Sequence, residues 1–70
     1  MSESVYKVIS LVGTSASSWE SAAQTAINAA SQSLRDLRIA EVEKLDMKVE
    51  EGKVVAYRAR VKLSFKYQVE

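Results

Sequence analysis

Charged side chains alternate along a part of the sequence that reads as two strands joined at a glycine. Arg58, Arg60 and Lys62 are spaced two residues apart on the strand after the glycine. Glu41 and Glu43 have the same spacing on the strand before it. Residues two apart in a strand point to the same face of a sheet, so each set should share one surface. Such groups can pair with one another, or the carboxylates can bind a metal ion.

The turn between the two strands predicts which charges face each other. If Glu51 and Gly52 are the two central residues of a tight turn, Glu50 lies opposite Lys53. The same register sets Glu41 opposite Lys62, Glu43 opposite Arg60, Ala40 opposite Leu63, Val42 opposite Val61 and Arg38 opposite Phe65. Each opposite-charge pair contributes only about 0.2 to 1 kcal/mol, so the pairs specify register more than they stabilise the sheet.

Three kinds of chemistry compete for these charges. With no histidine and no cysteine, the chain offers no base placed beside a nucleophile, and we expect it not to be an enzyme. Calcium takes about six to eight oxygen ligands, which no single loop supplies, so a site would need carboxylates from several subunits. The candidates are Glu41, Glu43, Asp46 and Glu50, and pairing with nearby cations or solvent is the competing interpretation. A net charge of +1 argues against a nucleic-acid partner.

Size and composition indicate a single small domain, residues 1–70, that associates with itself. A chain of 70 residues buries only about 60% of its unfolded surface, and without cysteine no disulfide can compensate. No apolar run approaches the ~18 residues of a membrane span, and the N-terminus lacks the layout of a signal peptide. We therefore expect a cytoplasmic protein with no membrane partner.

The first half of the chain predicts a strand, a turn and a helix. "SVYKVISLV" alternates as a strand and ends at Gly13, and "GTSASS" is a turn. Ser17 and Glu20 form a predicted capping box, so the helix should begin near Ser18. An apolar stripe follows at helical spacing: Trp19, Ala22, Ala23, Ala26, Ile27, Ala30 and Leu34. We expect Trp19 to be a core or lid residue at one end of this stripe.

The element order β-α-β-β predicts an α+β fold. A right-handed crossover makes the first two strands parallel in direction, so the third, antiparallel to the second, can lie between them in the order 1-3-2. The antiparallel sheet would then wrap around the one helix. The predicted helix-facing residues are Ala40, Val42, Ala59, Val61, Leu63 and Phe65. The opposite face would carry Leu37, Ile39, Leu45, Met47, Val49 and Val54 among its charges, a mixture that suits a subunit interface.

Three segments together resemble the dodecin family over essentially the whole chain. They are "YKVISLVGTSASSWESAA", "LRIAEV" and "GKVVAYRARVKLSFKY", in this order and spacing. The resemblance implies a bent sheet around a single helix and a hollow homododecamer. In most members of the family it also implies flavins bound in pairs between subunits.

The flavin positions of the family depart from its pattern in this chain. The resemblance places ligand-binding positions at Arg38, Ile39, Asp46 and Arg58. Flavin-binding members carry a stacking tryptophan where Ile39 stands, a glutamine where Arg58 stands and, in some, an arginine where Asp46 stands. "SWE" and "RIA" resemble a branch with reported calcium affinity. We therefore expect a non-catalytic dodecin-like protein that binds and stores a small ligand or cation, with calcium as the candidate cofactor and flavin storage as the alternative.

Overall fold

A computed structural model describes residues 3–67 as one sheet with one helix packed on it. The elements are β1 (Tyr6–Ser15), α1 (Trp19–Ser31), β2 (Leu37–Glu50) and β3 (Lys53–Lys66). β3 pairs antiparallel with both other strands, which gives the order β1-β3-β2. The predicted α+β fold, its element order and its strand order are confirmed.

A two-residue turn joins β2 to β3 as the sequence predicts. Glu51 and Gly52 both have positive φ, 52° and 76°, and Glu50 pairs with Lys53 across the turn. Positive φ at both central residues is the conformation that matches the natural twist of a hairpin. The turn therefore fixes the register at this end of the hairpin.

Three irregularities further along the hairpin change this register, and the first, between Lys48 and Val49, shifts the pairing by one residue. The pairs Glu41–Lys62 and Val42–Val61 are as predicted, but the register shifts between Val42 and Lys44. Between these two shifts, Lys44, and not Glu43, lies opposite Arg60. A third shift, near Arg38, sets Leu37 opposite Phe65, so the predicted partner of Phe65 is also wrong. An extra residue in one strand of a ladder is a β-bulge, which strict alternation does not anticipate.

The bulges also move side chains from one face of the sheet to the other. Leu45 lies opposite Ala59, and Met47 lies opposite Tyr57. Ala59 belongs to the core under the helix, and opposed residues share a face, so Leu45 and Met47 are on the helix side. Leu37, which packs against the same core, is there too. Their predicted place on the opposite face is wrong.

The start of α1 lies one residue later than predicted. Ser18 is the N-cap, and its hydroxyl accepts a hydrogen bond of 3.0 Å from the backbone N–H of Ser21. The predicted capping box of Ser17 with Glu20 is wrong, because the Ser17 hydroxyl lies 3.0 Å from that of Ser15 instead. Between residues 3 and 67 no helix has the length and apolar character needed to cross a membrane.

The core forms where alanines of α1 meet β3. It consists of six residues exposed by 5% or less: Ala22, Ala26, Ala30, Ala59, Val61 and Leu63. β1 passes under the helix at Gly13 and continues to Ser15 instead of ending at the glycine. A Cβ at Gly13 would collide with the carbonyl oxygen of Ala22 and lie 3.0 Å from the backbone nitrogen of Ala26. Small residues on both sides therefore allow the helix and strand to approach closely.

The helix lies over β1 and β3 and leaves β2 uncovered. Ala40 and Val42 are on the helix face but are exposed, Val42 by 50%. The predicted burial against the helix is therefore confirmed for Ala59, Val61 and Leu63 of β3 and wrong for these two residues of β2. Leu34, predicted within the helix, follows its end and still packs against the core.

Candidate functional site

Asp46 and Arg58 form the strongest polar contact of the sheet, on the face opposite the helix. They are directly opposed on β2 and β3 because they lie in the segment between the register shifts at Lys48/Val49 and at Val42/Lys44. Arg58 donates from Nε to Oδ1 of Asp46 at 2.7 Å and from Nη2 to Oδ2 at 2.8 Å. This bidentate geometry is the strong form of a carboxylate–guanidinium pair. It lowers the pKa of Asp46, with a smaller contribution from the charge of Arg60, and raises the pKa of Arg58.

Trp19 connects the start of the helix to the same segment of β2. Its indole N–H donates to the backbone carbonyl of Asp46 at 3.0 Å. Its ring meets that of Tyr57 edge to face, with centroids 5.1 Å apart and planes at 71°. We call Asp46, Arg58, Trp19 and Tyr57 the Asp46 cluster. Trp19 is half-buried and acts as a brace between helix and sheet, which agrees with the predicted core or lid position.

The carboxylates predicted as metal ligands are distributed along β2 and are mostly engaged by cations. Lys62 Nζ lies 3.3 Å from Oε2 of Glu43, and Lys48 Nζ lies 3.5 Å from Oε2 of Glu50. Glu41 lies opposite Lys62, and Asp46 is held by Arg58. Between residues 3 and 67 no three acidic side chains are grouped as a metal would require. The donor set of a single chain therefore does not fit calcium, which takes about six to eight oxygens.

Two apolar cavities follow the uncovered edge between α1 and β2. The larger, about 370 Å³, is lined by Trp19, Glu20 and Ala23 of the helix and by Val42 and Leu45 of the strand. The smaller, about 240 Å³, lies at the other end of the helix. Its lining consists of Ile27, Ser31, Leu37, Arg38, Ile39 and Ala40.

The four predicted ligand positions do not come together within one chain. Arg38 and Ile39 line the smaller cavity at the start of β2. Asp46 lies seven positions beyond Ile39 on that strand, roughly 20 Å away at the rise of an extended chain, and Arg58 lies opposite Asp46 on β3. Arg38 makes a long ion pair, 3.4 Å, with Asp36. A ligand that touched both groups would have to do so across more than one subunit.

The Asp46–Arg58 pair is the contact of the candidate site that the sequence interpretation missed. Strict alternation from the turn at Gly52 set Glu43, and not Lys44, opposite Arg60, and left Asp46 without a partner. A register shifted by one residue brings an acid and a base together at Asp46 and Arg58, and this complementarity was the available signal. Nothing in the sequence itself marks Glu43 as the residue at the bulge.

Three comparisons agree on the family. The family model described as Dodecin matches residues 5–68. The calcium dodecin of Mycobacterium tuberculosis is 46% identical over 63 residues, which cover 90% of this chain and 89% of that protein. The crystal structure of this calcium dodecin, described as a calcium-chelating antigen with a novel calcium-binding site, has a TM-score of 0.83 and 47% identity over 93% of both chains. The dodecin of Streptomyces coelicolor superposes with a TM-score of 0.93 at 34% identity over 100% of both chains.

Proposed function

The chain belongs to the dodecin family, and from this premise we propose that it is a non-catalytic protein that binds and stores a small ligand or cation as a hollow homododecamer. The proposal includes a cytoplasmic location, with neither nucleic acid nor membrane as a partner. A net charge of +1 supports it, since the cations of the sheet are largely balanced by carboxylates on the same face.

The proposed assembly rests on apolar side chains that are exposed along β2 and on the face of the sheet away from the helix. Large apolar side chains on β1, β2 and β3 remain 45% to 61% exposed: Val8, Val12, Ile39, Val42, Leu45, Met47, Val49 and Val54. These side chains lie on both faces of the sheet, and soluble monomers rarely expose large apolar patches. β1 and β2 also have unpaired edges, which favour pairing with another chain. Copies of this chain are the occupants that we propose for these surfaces.

Light scattering during size exclusion tests the assembly. We expect a mass about twelve times the 7.8 kDa of the chain. Val42→Asp should reduce that mass, because it places a charge on the uncovered apolar strip of β2. Asn28→Asp, on the exposed side of the helix, adds the same charge and should leave the mass unchanged. A folded wild-type monomer in dilute buffer contradicts the proposal.

The ligand that we favour is a cation held where subunits meet. The name of the M. tuberculosis relative supports calcium. The acidic candidates Glu41, Glu43, Asp46 and Glu50 cannot coordinate it from one chain, so symmetry would have to bring several copies together. Calorimetric titration of the assembled protein with calcium chloride, with magnesium chloride as the control, should give a saturable calcium signal. The signal should fall in Glu41→Gln, and an equal response to both salts would contradict a specific calcium site.

Flavin storage is the second candidate, and the smaller cavity is the observation that favours it. The family's flavin positions Arg38 and Ile39 line this apolar space beside the helix. Its volume of about 240 Å³ is below the ~300 Å³ of usual ligand pockets, so a second subunit would have to complete it. The bidentate Asp46–Arg58 pair occupies two further flavin positions and disfavours a ring there.

Riboflavin fluorescence distinguishes the two candidates. We expect little quenching by the wild-type protein, because Ile39 offers no aromatic platform for stacking. Asp46 and Arg58 must change together, since either one alone would lose its charged partner. The triple variant Ile39→Trp, Asp46→Arg, Arg58→Gln should therefore quench more strongly than Ile39→Trp alone. Submicromolar quenching by the unchanged protein would favour flavin storage instead.

A further inference from the structure

Lys44 and Arg60 form a rung of like charge in the β2–β3 ladder. The two residues are directly opposite each other, and both are exposed on the face away from the helix. Cβ atoms of opposed residues are only about 5 Å apart, and like charges at this separation destabilise a sheet. The rung exists because the register shift between Lys48 and Val49 sets Lys44 opposite Arg60, where strict alternation from the turn would set Glu43.

The neighbouring cations on this face are already paired. Arg58 is held by Asp46, and Lys62 by Glu43. On the β1 side the rung is flanked by Val12, which is neutral. Among residues 3–67, neither Lys44 nor Arg60 has a carboxylate within ion-pair distance. Glu41, opposite Lys62 at the next rung on the same face, is not in such a pair, and Asp46, on the other side, is held by Arg58 although the charge of Arg60 also lowers its pKa.

We propose that Lys44 and Arg60 bind a phosphate-type oxyanion on the face of the sheet away from the helix. The guanidinium group offers a planar fork of donors and the ammonium group a second, mobile donor, which together match a tetrahedral oxyanion. Two unpaired positive charges favour a dianion over a single carboxylate, which would neutralise only one of them. The site does not depend on the flavin positions or on a bound cation.

Titration with inorganic phosphate at constant ionic strength, with chloride as the replaced anion, tests this site. We expect phosphate to bind with a Kd on the order of 1 mM, as followed by phosphorus NMR and by an upward shift of the thermal midpoint. Lys44→Glu should weaken phosphate binding by about tenfold or more, because it turns the rung into an ordinary opposite-charge pair. This variant should fold at least as well as the parent, so loss of binding cannot be attributed to unfolding.

Two further variants sharpen the test. Lys7 is an exposed residue of β1 that lies opposite Phe65. Lys7→Glu changes the net charge by the same amount as Lys44→Glu and should retain phosphate binding. Glu41→Gln removes the acid at the next rung and should tighten binding severalfold. Equal binding by Lys44→Glu and Lys7→Glu would overturn the proposal, as would a wild-type response no larger for phosphate than for chloride. If Lys44→Glu instead changes the mass of the particle without altering phosphate binding, carboxylates of a second copy cover the rung and the proposal is also wrong.

Discussion

β3 and β2 are hairpin partners of equal length but have opposite environments. On β3, the helix-facing Ala59, Val61 and Leu63 are fully buried. On β2, every residue after Leu37 is exposed, including those directly opposite these three. The difference arises because α1 lies over β1 and β3, where Gly13 and the helical alanines allow close approach. The sheet is therefore half core and half uncovered surface, and the division falls between two paired strands.

The uncovered half also carries most of the features on which the functional proposals rest. The Asp46 cluster, the larger cavity and the Lys44–Arg60 rung all include residues of β2. A strand that does not have to build the core is free to carry charges, bulges and apolar residues for other contacts. Core stability and binding can therefore be altered separately in this chain.

The largest expected effect concerns the close approach on the packed side. Gly13→Ala would drive a Cβ into the backbone of the helix, and backbone atoms cannot move aside as a flexible side chain can. We expect a loss of about 3 kcal/mol or more in the free energy of unfolding, measured with urea. Gly52→Ala is the matched control: its Cβ would meet nothing, and only its positive φ costs about 1 kcal/mol. Equal losses in the two variants would show that the approach at Gly13 is not required.

A pair of truncations compares the two strands at one rung. Val61 is fully buried, and Val42, directly opposite, is 50% exposed. Val61→Ala should cost about 2 kcal/mol in unfolding free energy, since it removes buried methyl groups and leaves a cavity. Val42→Ala should cost less than half as much in the same urea titration. A larger loss for Val42 than for Val61 would mean that the assembly buries β2 more deeply than the helix buries β3.

The sequence was sufficient where a local signal fixes geometry. Glu51–Gly52 identified the turn, because only residues that tolerate positive φ fit a two-residue hairpin. The alanine stripe identified the buried side of α1, because spacing and small size both point to close packing. With the crossover rule, these signals were enough to predict the strand order.

The sequence was insufficient where geometry depends on the whole sheet. A bulge responds to the twist that a strand must adopt, and Glu43 is flanked by residues that suit either face. Two register shifts, at Lys48/Val49 and at Val42/Lys44, bound the segment in which Leu45 and Met47 lie on the helix side and Lys44 replaces Glu43 opposite Arg60. The exposure of β2 could not be predicted from the sequence either. An apolar strand residue that contacts another subunit gives the same sequence pattern as one that packs against the helix.

An intermediate effect on stability is expected from the contact that Trp19 makes between α1 and β2. Trp19 makes the one side-chain hydrogen bond, among residues 3–67, that joins α1 to β2. Trp19→Phe keeps an aromatic ring against Tyr57 but removes the N–H that Asp46 accepts, and should cost about 1 kcal/mol in unfolding free energy. Tyr57→Leu, which keeps the hydrogen bond and removes the ring contact, separates the two contributions. If Trp19→Phe has full stability, packing alone holds the helix end in place.

The smallest expected effect concerns the pH dependence of the exposed Asp46–Arg58 pair. The hydrogen bonds from Arg58 lower the pKa of Asp46, so the folded state binds this proton less readily than the unfolded state. The stabilisation is therefore present above the unfolded pKa of roughly 3.9 and is lost as pH falls through the lower, folded value. On acidification below about pH 4, the thermal midpoint should fall more steeply for the wild type than for Asp46→Asn.

Glu20→Gln is the control for this measurement, since it removes an exposed carboxylate that lies outside the pair. Its acid profile should follow the wild type. High salt should bring the wild type and Asp46→Asn closer together, because an exposed ion pair is screened. Parallel acid profiles of wild type and Asp46→Asn at low salt would contradict this prediction. The Asp46–Arg58 pair would then fix the register of β2 against β3 without contributing to the free energy of unfolding.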